Sequence, residues 1–179
     1  MTNRRLVTLG KVVLLLVVAV LLQTLLVSRV SVLGVTADLF LILTVAVAVG
    51  RGSMEGALFG FFAGLMADIA FFSPLGVRAL IYVLVGYFVG MVVLRLGTVS
   101  AWGMLLLAGG SSFAAQFVFG LFQYVTGPKA GFITMVGTQM LPEAVLDALV
   151  AVPVYVLLLR LGIISAAGAG AVSSGGAAE

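Results

Sequence analysis

The chain of 179 residues contains no cysteine and no histidine. Disulfides and thiolate metal sites are therefore excluded, and both the usual general base and the commonest metal ligand are missing. Charged residues make up only 8% of the chain, which leaves too little polar surface to coat a soluble globule. No polar stretch is long enough to fold by itself. The sequence therefore predicts an all-α protein embedded in a membrane.

Hydrophobic residues make up 63% of the chain, in long runs separated by short turns. A helix needs about 20 mostly apolar residues to cross a bilayer, so the runs predict about six transmembrane helices in one domain, residues 1–164. The Ala, Gly and Ser tail, residues 165–179, is predicted to be disordered. The predicted helices run from about Val12 to Val27, Thr36 to Gly50, Ser53 to Phe72, Ala79 to Leu94, Ala101 to Val125 and Pro142 to Leu159.

Single residues set the expected starts of the second and sixth helices. Thr36 is the expected N-cap of the second helix, with Asp38 in its first turn. Pro142 is expected to open the sixth helix, because proline suits the first helical position. The segment before it, residues 132–140, is ambiguous.

The basic residues predict the orientation of the bundle. If the chain has six transmembrane helices, six basic residues fall on one side of the membrane and three on the other. Since cytoplasmic loops carry an excess of Lys and Arg, both termini are predicted to be cytoplasmic. The majority side holds Arg4, Arg5, Lys11, Arg51, Arg95 and Arg160, and the other side holds Arg29, Arg78 and Lys129.

Glycines spaced four residues apart form a stripe on the third helix, at Gly56, Gly60 and Gly64, and the fourth helix offers Gly86 and Gly90. Residues four apart share a helix face, and glycine allows another backbone to approach closely. These five glycines are therefore candidates either for packing within the bundle or for binding a partner's helix.

The carboxylates Asp38, Asp68, Glu143 and Asp147 are all predicted in the outer half of the membrane, together with Arg78. Asp38 and Glu143 suit first turns, where a negative charge complements the helix dipole. Asp68 lies near a helix C-terminus and needs a partner, for which Arg78 is the nearest candidate. Asp147 lies one turn after Glu143, so we expect it to face solvent or a partner protein. A paired-carboxylate acid/base site is the sharper alternative.

Two other polar side chains have simpler interpretations. Gln116 either lines a cavity or bridges neighbouring helices. Tyr82 is expected to be an interface anchor or a groove residue.

The order of these features resembles the bacterial rod shape-determining protein MreD family. The resemblance covers about Leu14 to Arg160 and rests on TADLFLIL around Asp38, the glycine helix that runs into Asp68, and the SPLG turn. The Gly86-Tyr87 pair and Pro142-Glu143 at the start of the last helix complete the pattern.

The resemblance implies a non-enzymatic subunit of the cell-wall elongation machinery in the bacterial plasma membrane. Its implied partners are a MreC-like bitopic protein and, indirectly, MreB, a RodA-type glycosyltransferase and a class B transpeptidase, with membrane lipid around it. No cofactor and no nucleic acid are implied.

The same resemblance supplies an alternative, because the family is thought to share its fold with the substrate-binding components of energy-coupling-factor vitamin transporters. In that case the outer polar cluster would form the mouth of a pocket for a small ligand. A membrane hydrolase or acyltransferase is disfavoured, because it would need a positioned nucleophile and base.

Overall fold

The computed structural model describes residues 17–21, 23, 35–97, 99–126 and 132–164. These residues are almost entirely helical. The first predicted helix lies mostly outside them, and so does the Ala, Gly and Ser tail. The helices are α1 (residues 17–21), α2 (Leu39–Arg51), α3 (Ser53–Ala70), α4 (Val77–Leu96), α5 (Ala101–Thr126), α6 (Phe132–Met135) and α7 (Leu141–Arg160).

Within the part of the chain that the structure describes, four helical segments are long and apolar enough to cross a membrane: Ser53–Ala70, Val77–Leu96, Ala101–Thr126 and Ile133–Arg160. The three middle predictions, for the third to fifth helices, agree with α3, α4 and α5 to within two residues. The all-α prediction is confirmed for the described part of the chain.

The short helix α2 lies at the centre of the bundle. All its residues from Leu39 to Val49 are buried, and α3, α4, α5 and α7 pack around it. Its 13 residues extend roughly 20 Å, less than the roughly 30 Å of hydrocarbon in a bilayer. The N-cap is Asp38 and not Thr36, so the predicted start was wrong by two residues.

The five predicted glycines lie where α3 packs on α4 and α2. A Cβ atom at any of them would come within 2.5 Å of an atom of a neighbouring helix. Only glycine permits this backbone approach, because any larger residue would push the helices apart. The stripe is therefore a contact within the chain, and its own helices cover it. The five are Gly56, Gly60, Gly64, Gly86 and Gly90.

The sixth predicted helix begins about ten residues earlier than expected. A π-helical turn, Val136–Met140, joins α6 to α7, and together they form an apolar span of 28 residues. Pro142 lies in the first turn of α7, as predicted, but the helical span itself starts upstream of it, at Ile133. Proline has no N–H to donate to the carbonyl four residues before it, and the interruption of the regular α-helical pattern falls just ahead of it.

After α7 the chain folds back over the end of α2. The guanidinium of Arg51 donates to the carbonyl oxygen of Ile163 from Nε, at 3.0 Å, and from the second terminal nitrogen, at 2.8 Å. Ile164 is buried and packs against Gly50, where a Cβ would lie 2.5 Å from the Ile164 Cβ. This contact fixes the C-terminal end of α7 to the α2–α3 junction.

Candidate functional site

The start of α2 lies inside the bundle, and this creates a demand for hydrogen-bond acceptors. The first N–H groups of a helix have no partner within the helix, and in a membrane they must find one inside the protein. Asp38 supplies one acceptor. Its Oδ1 accepts from the backbone N–H groups of Phe40, at 3.1 Å, and Leu41, at 3.2 Å. The carboxylate that caps α2 is itself only 2% exposed.

Two side chains from other helices complete this cap. Asp147 on α7 accepts from the N–H of Asp38 at 2.8 Å. Gln23, close to α1, accepts from the N–H of Leu39 and donates to the carbonyl of Ala37, both at 3.0 Å. The N–H groups of Leu39 and Asp38 thus donate to residues that lie 16 and 109 positions away along the sequence.

The positive charge beside Asp38 comes from Arg78, near the start of α4. Its guanidinium lies 3.2 Å from Asp38 Oδ2, and the hydroxyl of Tyr82 donates to the same oxygen. The guanidinium also stacks between two aromatic rings, 4.7 Å from the centroid of Phe71 and 4.3 Å from that of Phe119. Arginine suits this position because its planar group can pair and stack at once.

Asp68 binds the turn between α3 and α4 and not the side chain of Arg78. It accepts from the Ser73 hydroxyl at 2.9 Å, from the Gly76 N–H at 2.7 Å and from the Arg78 N–H at 3.2 Å. The expected Asp68–Arg78 ion pair was therefore wrong. Backbone donors at the start of α4 stabilise Asp68, and the guanidinium is free to reach Asp38.

Asp147 is fully buried, so the expectation that it faces solvent or a partner was wrong. Its second oxygen accepts from the Ser112 hydroxyl on α5 at 2.5 Å. It lies 14 residues after Ile133 and 13 before Arg160, midway along the last span, because that span starts upstream of Pro142.

Glu143, one turn before Asp147, pairs with Gln116 on α5. Gln116 thus bridges two helices. Asp68 is linked to this region through the backbone N–H of Arg78. We define the polar cluster as Asp68 together with the side chains that lie in this region of the bundle: Asp38, Arg78, Tyr82, Ser112, Gln116, Glu143 and Asp147. All five predicted outer polar residues are among them.

The space beside the polar cluster is small. A cavity of about 10 Å³ lies between Asp38, Arg78, Tyr82 and Gln116, with apolar side chains around it. That volume holds about one water molecule, whereas ligand pockets have about 300 Å³ or more. The described residues contain no group of three or more Asp, Glu, His or Cys that could hold a metal ion.

Sequence reasoning missed three members of this arrangement, Tyr82, Ser112 and Gln23. Tyr82 is 1% exposed and lines the small cavity, so of its two predicted roles the interface anchor was wrong. One signal could have found it, because Tyr82 follows Arg78 by four residues and shares its helix face. Ser112 and Gln23 carry no such signal, since each meets its partner only through the packing of distant helices.

Among the described residues, four helices that are long and apolar enough to cross a membrane surround a short buried helix, and buried polar side chains join them. This arrangement indicates a multi-pass membrane protein. Its residues 3–162 match the family model for the rod shape-determining protein MreD. The chain therefore belongs to the MreD family, whose role is the determination of rod shape.

Comparisons with curated proteins and with solved structures gave no match. The expected likeness to the substrate-binding components of energy-coupling-factor transporters is accordingly not supported.

Proposed function

We propose that this protein is a non-enzymatic membrane subunit of the bacterial cell-wall elongation machinery. It binds a MreC-like bitopic protein and, through it, organises a RodA-type glycosyltransferase and a class B transpeptidase in concert with MreB. The observation that carries the proposal is the family match over residues 3–162.

The chemistry of the polar cluster supports a structural role. Its carboxylates accept hydrogen bonds from helix N–H groups or from side chains of the same chain. A buried carboxylate that is already paired in this way positions helices and has little capacity left for acid/base work. The chain also has no histidine or cysteine to serve as base or nucleophile.

The lipid-facing surface of α5 is the best candidate for partner contact. Among the four spans it has the smallest buried share, and a Cβ at Gly110 would meet no atom within 4 Å. Helices associate in membranes by van der Waals packing, which small residues favour. We propose that the partner's single membrane helix packs on α5 at this position, since α3 and α4 use their own glycines internally.

We further propose the bacterial plasma membrane as the location, with both termini in the cytoplasm. The last turns of α2, α4 and α7 lie at the same end of the bundle, and each carries one arginine: Arg51, Arg95 and Arg160. This distribution supports the orientation, because positive residues accumulate on the cytoplasmic side.

An affinity pull-down of the tagged full-length protein from a rod-shaped bacterium, in mild detergent, tests the proposed partner contact. Wild type should recover a MreC-like bitopic protein and wall synthases, and Gly110→Leu should lose them while still accumulating in the membrane. Gly137→Leu is the matched control, because a Cβ there also meets nothing within 4 Å. Retention of the partner by Gly110→Leu would move the contact away from α5.

A shape assay tests the function itself. In cells depleted of their own MreD, the wild-type protein should restore rods, and a variant that loses the MreC-like partner should leave the cells round. Recovery of ATPase and energy-coupling subunits, in place of wall synthases, would contradict the proposal and favour a transporter.

A further inference from the structure

The turn between α3 and α4 presents an apolar tip at one end of the bundle. Phe72 is 96% exposed and Leu75 is 72% exposed, and Ile69 just before them is also exposed. Phe72 adopts a φ of 53°, a left-handed conformation that favours glycine. Contacts within the chain do not explain a phenylalanine here, because so little of its side chain is covered.

The turn satisfies most of its backbone donors by itself. The N–H groups of Ser73, Gly76 and Arg78 all donate to Asp68, through its carbonyl or its carboxylate. The N–H groups of Phe71 and Phe72 donate to carbonyls of the preceding helix turn. A turn in contact with water does not need this arrangement. A turn in contact with lipid does, because acyl chains offer no hydrogen-bond partners.

Helix lengths place the turn near the edge of the hydrocarbon region. The flanking helices α3 and α4 have 18 and 20 residues, about 27 Å and 30 Å at 1.5 Å per residue, against a hydrocarbon thickness of about 30 Å. Arg78 packs on Phe119, and the seven further residues of α5 extend about 10 Å past that level along its axis. The turn is therefore not the outermost part of this end.

We propose that the turn of residues 71–76 is a lipid anchor, with Phe72 and Leu75 inserted at the boundary between headgroups and acyl chains. Asp68 holds the anchor rigid and joins it to the start of α4, so the anchor sets the depth of the polar cluster. A docking site for a protein fits the observations less well. Residues 69–77 carry no charge that could form a polar rim.

Depth-dependent fluorescence quenching tests this proposal on the full-length protein in phosphatidylcholine and phosphatidylglycerol vesicles. The chain has a single tryptophan, so Phe72→Trp in a Trp102→Phe background places one fluorophore at the tip. Leu84→Trp in the same background is the matched control, because Leu84 is exposed in the middle of α4. Lipids brominated near the headgroup or near the chain end report depth, and iodide reports contact with water.

If the turn is a lipid anchor, lipid brominated near the headgroup should quench most of the emission of Phe72→Trp, and iodide should quench little of it. The Leu84→Trp control should respond most to the deep bromine. Strong quenching of Phe72→Trp by iodide, with no quenching by either brominated lipid, would overturn the proposal. That result is expected if the tip binds a protein that is absent from the vesicles. Strongest quenching by deep bromine would also overturn it. Leu75→Trp gives an independent reading if Phe72→Trp fails to insert.

Discussion

Gly60→Ala should destabilise the bundle, although it adds a single methyl group. A Cβ at position 60 would lie 2.4 Å from the carbonyl oxygen of Tyr82 on α4 and 3.0 Å from Cγ2 of Thr44 on α2. Ordinary contact begins at 3.4 Å, so α3 and α4 must separate by about 1 Å, which is 3.4 Å minus 2.4 Å. The contact with Thr44 is also tighter than ordinary, so α3 must adjust its packing against two helices and not one.

The size of the effect follows from two opposing terms. Overpacking typically costs about 1–3 kcal/mol, and the upper end applies here because the nearest atom is backbone and not the end of a flexible side chain. Alanine is favoured over glycine inside a helix by about 1 kcal/mol. The net loss is therefore about 2 kcal/mol, or roughly 30-fold in the folding equilibrium.

Gly110→Ala is the matched control, since the same substitution on α5 meets no atom within 4 Å. It keeps the helix-propensity gain without the clash, so it should leave stability unchanged or raise it by up to about 1 kcal/mol. Titration of the full-length protein from mild detergent into a denaturing detergent, followed by intrinsic fluorescence, gives both midpoints. Equal shifts of the unfolding midpoint for Gly60→Ala and Gly110→Ala would show that the close approach at Gly60 does not matter for stability.

The same titration tests three further substitutions. The stability of Asp147→Asn should stay within about 0.5 kcal/mol of wild type, because an amide can still accept from the Asp38 N–H and donate to Ser112. Asp147→Leu should lose about 1–3 kcal/mol of stability, because it leaves that buried N–H unpaired. Arg78→Lys should lose about 1–2 kcal/mol of stability, because an ammonium cannot stack on the two aromatic rings as the guanidinium does. Stability equal to that of wild type would show that the stacking is unimportant. Gly50→Val should loosen the C-terminal contact with Ile164 by about 1–3 kcal/mol, and proteolysis at residues 161–164 should become faster; unchanged cleavage would contradict that contact.

Glycine spacing was the part of the sequence that predicted packing best. Residues four apart must share a helix face, so Gly56, Gly60 and Gly64 could only form one smooth stripe, whatever the rest of the fold. The sequence left two alternatives for what packs on that stripe, another helix of the same bundle or a partner's helix. It could not choose between them, because the choice depends on whether the α3–α4 turn lets both helices lie in contact along their length.

The charged members of the polar cluster were predictable from the sequence, but their pairing was not. Arg78 was assigned to Asp68 because the two are near in sequence, yet the turn brings backbone N–H groups to Asp68 first. Arg78 then pairs with Asp38, 40 positions away. The position of Asp147 midway along its span was not predictable for a different reason. Proline usually marks a helix start, and a π-helical turn ahead of Pro142 has no simple sequence signature.

The short length of α2 explains why the glycines and the polar cluster occur together. A helix that begins inside a membrane exposes N–H groups that only the protein can satisfy, and Asp38 can do so only if Tyr82 and Arg78 are held beside it. Tyr82 is held there because its backbone carbonyl lies against Gly60. Close packing of α3 on α4 therefore positions the side chains that stabilise the start of α2.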